Sequence, residues 1–333
     1  MRIELFRSEQ AEEWDAFVAR ASTATFLHTR SYLSYSGDRF PDASLVVLDG
    51  QGRWVAVLPA AIDCRDPTVV VSHPGITYGG LLHAGALQGG LMIEAFECVR
   101  ECLARRGFER FRYKAVPYIY HRAPSSDDLY ALYRLGAGRY RCDLSCAIDL
   151  DNRARPSERR RRGLKKACRS GVRVAEGPSL AGALWKVLEA NLDLRYKLKP
   201  VHTVDEILLL HSRFPANIEF VAAELEGRVV AGVVLFCTPA VVHSQYTASN
   251  AEGREVCALD AVFEHCLEKA RLRGARYFSF GVSTEDDGRY LNAPLHEFKR
   301  EFGGGGVVHD FYELALRPDC GGAVRRPTAG PVP

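Results

Sequence analysis

No apolar run in this 333-residue chain approaches the roughly 20 residues that a membrane-spanning helix needs. The amino-terminal MRIELFRSEQ also lacks the apolar centre of a secretory signal. Both absences predict a cytoplasmic protein. Lysine is scarce, with eight residues against 36 arginines, a skew that reads as genome base composition rather than chemistry. A dominant charge sign is missing too: a net charge of +3 and a pI near 8.3 are too mild to identify a nucleic-acid or phosphate partner, so any electrostatic argument rests on local clustering. Tight cysteine knuckles are absent. The ten cysteines are scattered from Cys64 to Cys320, and the four-residue gaps Cys98/Cys102 and Cys142/Cys146 have no convergent second pair of zinc-site spacing. They are expected to be reduced core thiols, with no metal. There is no G-x-S-x-G elbow, and no cysteine has a histidine nearby to activate it, which argues against a covalent acyl-enzyme.

What is present is a pattern used twice. The first copy is a hairpin over Ser44 to Ile62, a strand VVVSHPG, a helix from about Leu91 to Arg106, and a strand FERFRYKAV. The second is a hairpin over Glu219 to Cys237, a strand AVVHSQYTAS, a helix from about Cys257 to Arg273, and a strand ARYFSFGVS. Gly52 corresponds to Gly227 at an offset of 175 and Gly107 to Gly274 at 167, so one loop differs by eight residues. Leu91, Ala95, Val99 and Cys102/Leu103 form one helical stripe, and Leu259, Val262/Phe263, Cys266/Leu267 and Ala270 repeat it. Residues 10–35 predict two helices around Trp14 and Tyr32, and 179–214 two more, interrupted at Pro200. The length allows each half its own core, with a ligand cleft between them.

The strongest charge cluster, DNRARPSERRRRGLKKACRSGVRV, lies between the copies. Ser157 is a suitable N-cap and Gly171 a suitable stop. Arg159, Arg162 and Lys166 share one helical face, and Arg161 and Lys165 a neighbouring one. The cluster reads either as a solvated linker or as a phosphate-binding wall of the cleft.

Several stretches, TFLHTRSYLSYSGDRF, GITYGGLL, YKAVPYIYHRAPSSDDLYAL and above all FGVSTEDDGRYLNAPLHEFKREFGG closed by HDFYEL, resemble the tandem GNAT acyltransferases of Fem type over about residues 12–315. The resemblance implies an α/β (α+β) fold of two GNAT-like domains, each with a mixed, mostly antiparallel sheet flanked by helices. It also implies transfer of an aminoacyl group from aminoacyl-tRNA to an amine, with an aromatic and a lysine beside the reacting ester. In this chain those are Phe298 and Lys299, followed by Phe302 and Gly303. The murein-bridge relatives end their first domain with K-x-D-P, whereas this chain has Lys114-Ala115-Val116-Pro117, so their aspartate has no counterpart. The Q/R-x-x-G-x-G/A turn of acetyl-CoA users is poorly matched by SNAEGREVCALDAV, whose only glycine is Gly253.

These readings divide the chain into residues 1–150 for acceptor recognition, a basic helix over 151–172, residues 173–316 for donor binding and catalysis, and a disordered tail over 317–333. Lys299 is the expected oxyanion stabiliser, with Phe298 beside the ester. Asp260, Glu285, Asp286 and Asp287 are candidate proton acceptors or ammonium holders, with His121, His243 and His296 behind them. Tyr78, Lys114, Tyr118, Tyr120, His121, Tyr246, Arg289, Tyr290 and Asn292 are candidate substrate contacts, each weighed against a packing or surface role. Arg159, Arg161, Arg162, Lys165 and Lys166 are candidate contacts to phosphate or to an RNA 3′ end. The expected co-substrate is aminoacyl-tRNA and the acceptor a small-molecule amine, with no tightly bound cofactor and a monomer or weak dimer. Two alternatives stand beside it: an acetyl-CoA-dependent N-acetyltransferase acting on an amino sugar or other amine, and a non-catalytic binding protein that keeps the fold.

Overall fold

A computed structural model describes residues 1–317. The predicted tail therefore lies, apart from Arg317, outside the described residues. The chain opens with β1 (Arg2–Leu5), α1 (Ala11–Arg20) and the single turn α2 (Arg30–Leu33). Four strands follow, β2 (Leu45–Leu48), β3 (Trp54–Leu58), β4 (Ala61–Ile62) and β5 (Val69–Val71), then α3 (Gly90–Arg105), β6 (Arg110–Lys114), α4 (Asp127–Arg134) and β7 (Gly138–Asp149). The basic segment is α5 (Glu158–Arg169), followed by β8 (Arg173–Glu176), α6 (Ala181–Tyr196) and α7 (Val204–Arg213). The second hairpin and its sequel are β9 (Ile218–Leu225), β10 (Arg228–Cys237), β11 (Val241–Ser249), α8 (Ala251–Glu255), α9 (Ala258–Leu272) and β12 (Tyr277–Val282). A small ribbon, β13 (Thr284–Glu285) and β14 (Tyr290–Leu291), precedes α10 (Ala293–Arg300) and β15 (Gly305–Ala315).

The fold is mixed α/β, as expected, and its two half-sheets fuse. Ten strands form one sheet in the order β4-β5-β6-β15-β7-β12-β11-β10-β9-β8. The last strand, β15, enters between β6 and β7, while β7 runs antiparallel to both β15 and β12. Each half keeps one parallel pair joined through a helix: β5 with β6 through α3, and β11 with β12 through α9. The first hairpin departs from the second. β1, β2 and β3 form a separate three-stranded sheet in that order, and the two-residue strand after them, β4, pairs with β5 at the edge of the large sheet.

The helical stripes face the sheet where periodicity puts them, with one shift. In α3 the buried set is Met92, Ala95, Phe96, Val99 and Leu103, while Leu91 is 49% exposed. The stripe therefore starts one residue later than the sequence implied. The thiols also divide: Cys146, Cys237 and Cys266 are buried, but Cys64 and Cys168 are exposed and so are not core residues. No helix of the described residues is long and apolar enough to cross a membrane.

Candidate functional site

The site begins where two strands part. β11 and β12 are hydrogen-bonding neighbours only over Val241–His243 and Tyr277–Ser279. Beyond that, β11 stays with β10 through a bulge opposite Val234/Leu235, and β12 follows β7 through an irregularity between Ser279 and Val282. Gly281 lies at this irregularity with φ +76°, a conformation that side-chain-bearing residues rarely adopt. The result is a wedge that opens into a cavity of about 690 Å³. One wall is the end of β11, Thr247 to Ser249, with Phe280 across from it, and Phe263 and Leu259 of α9 line it too. Leu295, Phe298 and Lys299 of α10 line another side, and Arg159, Arg162 and Lys166 of α5 a third.

The basic helix forms as its sequence implies. The Ser157 hydroxyl accepts from Arg160 N–H at 3.2 Å, and Gly171 follows the last turn at φ +77°. Arg159, Arg162 and Lys166 of its polar face line the cavity, whereas Arg161 and Lys165 lie off it. The helix is clamped by a residue the sequence reading passed over. Arg160 is 8% exposed, pairs with Asp260 at 3.2 Å and Glu301 at 3.0 Å, and stacks 4.8 Å from the centroid of Phe298. Gly163 makes the approach possible, since a Cβ there would sit 2.7 Å from Asp260 Oδ1. Arg160, Gly163 and Ala167 are the buried residues of α5, and their spacing of three and four was the available signal. Asp260 thus has a structural partner. Its carboxyl is pushed up to about 6, mainly by burial, with Arg160 opposing and Glu301 adding to the rise.

Lys299 is 8% exposed, and its Nζ donates to the carbonyl oxygens of Gly281 at 3.0 Å and Val282 at 2.5 Å. Burial lowers its ammonium to about 8. Phe298 packs in a cluster with Phe263 and Phe302. Gly303 is required for the turn after α10: its φ is +99°, and a Cβ would meet Ala154 O at 2.1 Å. Asn292 lines the cavity, caps α10 by accepting from Leu295 N–H at 3.1 Å, and donates to Glu285 at 2.8 Å.

The remaining candidates lie elsewhere. Glu285, Asp286, Asp287, Arg289 and Tyr290 belong to the β13–β14 ribbon and are absent from the cavity wall. Asp287 pairs with Arg141 at 2.7 Å. Tyr78 is buried in the first-half core, and Gly79 beside it approaches the backbone of Ser72 rather than a ligand. Lys114 is buried with its Nζ donating to the carbonyls of His73 and Ile76, and burial lowers it to about 7. Tyr120 is buried against Tyr78, Tyr118 is 59% exposed, and His121 bonds Val116 O at 2.9 Å. Tyr246 faces α6, packing on Trp185 and bonding His202 Nδ1 at 2.5 Å. None of these six lines the cavity. His296 on α10 is likewise off its wall.

Residues 152–300, which contain every cavity-lining side chain named above, match the family model described as an acetyltransferase (GNAT) domain. The crystal structure of FemX superposes with a TM-score of 0.67 at 12% identity, covering 95% of this chain and 97% of that one. Residues 152–300 thus carry a GNAT domain, within a fold like that of FemX. The chain also superposes on L-PGS from Bacillus licheniformis, with a TM-score of 0.62 at 13% identity over 95% and 94% of the two chains. A tandem GNAT protein from the clavulanic acid biosynthesis pathway gives 0.51 at 14% over 96% and 100%. No curated protein matches the sequence. The fold is that of an acyltransferase, and at such identities the superpositions speak for fold alone.

Proposed function

We propose that this protein forms an amide by transferring an aminoacyl group from aminoacyl-tRNA to an amine of a small metabolite or cell-wall precursor. The carrying observation is one cavity with two unlike ends. A cationic helix face, Arg159, Arg162 and Lys166, stands at one side, and the aromatic-and-lysine end, Phe298 and Lys299, at another. The first suits phosphates, and the second suits an ester whose carbonyl oxygen becomes negative during attack. In this reading residues 173–316 take the donor and perform the chemistry, residues 1–150 recognise the acceptor, and the reaction belongs in the cytoplasm, where charged tRNA is made.

The turn after β11 supports this donor over coenzyme A. A pyrophosphate bound there would need free backbone N–H groups, but Gly253 N–H is already given to Asn250 Oδ1 at 2.8 Å, and a Cβ at 253 would meet Val230 O at 2.4 Å. Gly253 therefore serves packing. The second reading, an acyl-CoA-dependent N-acetyltransferase, is favoured by the matched domain description and by Arg254, a further cation on the cavity wall. Parallel incubation with ribonuclease-sensitive total aminoacyl-tRNA and with acetyl-CoA, scored by amide formation on a panel of amines, separates the two. Saturable acetyl-CoA turnover with inactivity on charged tRNA would reverse the ranking.

A further inference from the structure

The cavity wall is one-sided in charge. Six cationic side chains line it, Arg159, Arg160, Arg162, Lys166, Arg254 and Lys299, against a single carboxylate, Asp260. That carboxylate is already engaged, being 4% exposed and paired with Arg160 at 3.2 Å. Arg162 and Arg254 give hydrogen bonds to the backbone carbonyls of Glu158 and Ser249 rather than to acids. No histidine lines the cavity, and the candidates His121, His243 and His296 are all off its wall. The imbalance therefore holds on either side of imidazole titration.

Around Phe298 the same cavity is apolar on two helices and a strand. The ring of Phe263 on α9 lies 4.9 Å from that of Phe280 on β12 and 6.3 Å from that of Phe298 on α10. Leu259, one turn before Phe263, and Leu295, one turn before Phe298, line the cavity beside them. Phe263 and Phe280 are buried, whereas Leu259, Leu295 and Phe298 are only partly so. These three thus leave apolar surface on the wall next to Lys299, and an apolar ligand group gains by covering it.

We propose that the aminoacyl group this protein transfers carries an apolar side chain, aliphatic or aromatic, and that Leu295 is a specificity-determining residue for it. The proposal rests on the aminoacyl-transfer reading above, which puts the ester beside Phe298 and Lys299. A cationic side chain, as in a lysyl or arginyl group, would find the one carboxylate of the wall held by Arg160 and would otherwise meet like charge. This argument holds wherever in the cavity that side chain lay. An anionic side chain would be desolvated against the aromatic cluster without a partner of its own, because the cations of α5 face the phosphates in this reading. The α-amino group is common to all aminoacyl donors and does not discriminate among them.

The test uses the full chain and donor analogues that need no acceptor. These are 5′-phosphorylated 3′-amino-3′-deoxyadenosines bearing an amide-linked leucyl, phenylalanyl, lysyl or aspartyl group, and their dissociation constants are measured by calorimetry. The leucyl and phenylalanyl analogues are expected to bind at least about tenfold more tightly than the lysyl and aspartyl ones. Leu295 is the third residue of α10, its N–H held by the Asn292 cap at 3.1 Å, a position that suits glutamate. Leu295→Glu is expected to shift the ratio of lysyl to leucyl affinity at least about tenfold toward lysyl, and Leu295→Met to keep the wild-type order. An equal loss for every analogue in Leu295→Glu would reject Leu295 as a specificity residue. A lysyl or aspartyl analogue that binds wild type within about threefold of the leucyl one would overturn the apolar assignment and leave aminoacyl transfer standing. If wild type binds neither the acylated analogues nor total aminoacyl-tRNA, the aminoacyl-transfer reading fails first and the proposal with it. If Leu295→Glu does not fold, the wild-type series decides the substrate class alone.

Discussion

Lys299 holds its ammonium 3.0 Å from the carbonyl oxygen of Gly281, so the cation and the irregularity in β12 are one structural unit. Lys299→Ala is expected to cut turnover at least about a hundredfold, the scale of losing one fixed donor to a developing oxyanion. Circular dichroism should show a folded protein. Near-wild-type turnover in that variant would remove the lysine from the mechanism.

The same lysine sets a pH dependence. Its ammonium is lowered to about 8 by burial. Only the charged form stabilises an oxyanion, so kcat/KM for a weakly basic amine should fall as pH rises through about 8. For stability the sign is opposite. The folded state sheds this proton before the unfolded chain does, so the contribution improves between about 8 and the ordinary value of 10.5. Below about 8 the cost of burying the cation is fully present. A pH–rate profile and urea unfolding at several pH values check the two halves of this prediction.

Arg160 joins α5 to α9 and α10 through Asp260 and Glu301. Arg160→Met leaves two buried carboxylates without their cation and should cost about 3–5 kcal/mol in urea unfolding. Asp260 sits at about 6, above its ordinary value of 3.8, so the folded state holds this proton more tightly. Its contribution is most favourable below about 4 and is lost as pH rises through about 6, and Asp260→Asn should flatten that slope.

Gly163→Ala places a Cβ 2.7 Å from Asp260 Oδ1. Prising α5 from α9 is expected to cost about 1–3 kcal/mol of stability and to weaken donor binding, because the helix carries the cationic wall. Thermal unfolding and donor titration report both effects.

Charge reversal distinguishes the two faces of α5. Arg159→Glu together with Arg162→Glu should raise the Kd for a polyanionic donor at least about tenfold and reduce its salt dependence. Arg161→Glu with Lys165→Glu, off the cavity, should change it less than about twofold. Equal effects from both pairs would mean a diffuse electrostatic contribution rather than a binding wall.

Local signals were legible where a residue's environment depends on its near neighbours. The Ser157 cap, the Gly171 stop and the shared face of Arg159, Arg162 and Lys166 follow from helical spacing, and α5 displays them as read. The F-K-x-x-F-G stretch placed an aromatic and a lysine together on α10, and Phe298 and Lys299 both reach the cavity. The acidic ribbon was harder. Glu285, Asp286 and Asp287 follow the correct strand, but the turn carries them outward, and only Asn292 at its far end reaches the cavity. For Tyr246 the packing alternative is the one seen: its register opposite Val234, beside the bulge, puts it against Trp185 of α6.

The repeated strand-and-helix units, the helix carrying the cationic face and the aromatic–lysine pair of α10 can be read from residue order, because each is written in spacing over a few turns. The threading of β15 between β6 and β7, the parting of β11 and β12 after His243 and Ser279, and the locking of the basic helix over Asp260 by Arg160 and Gly163 are settled in three dimensions. Strand order and buried ion pairing join residues about a hundred or more positions apart, and no local periodicity records which distant partner a strand edge or a buried charge will meet.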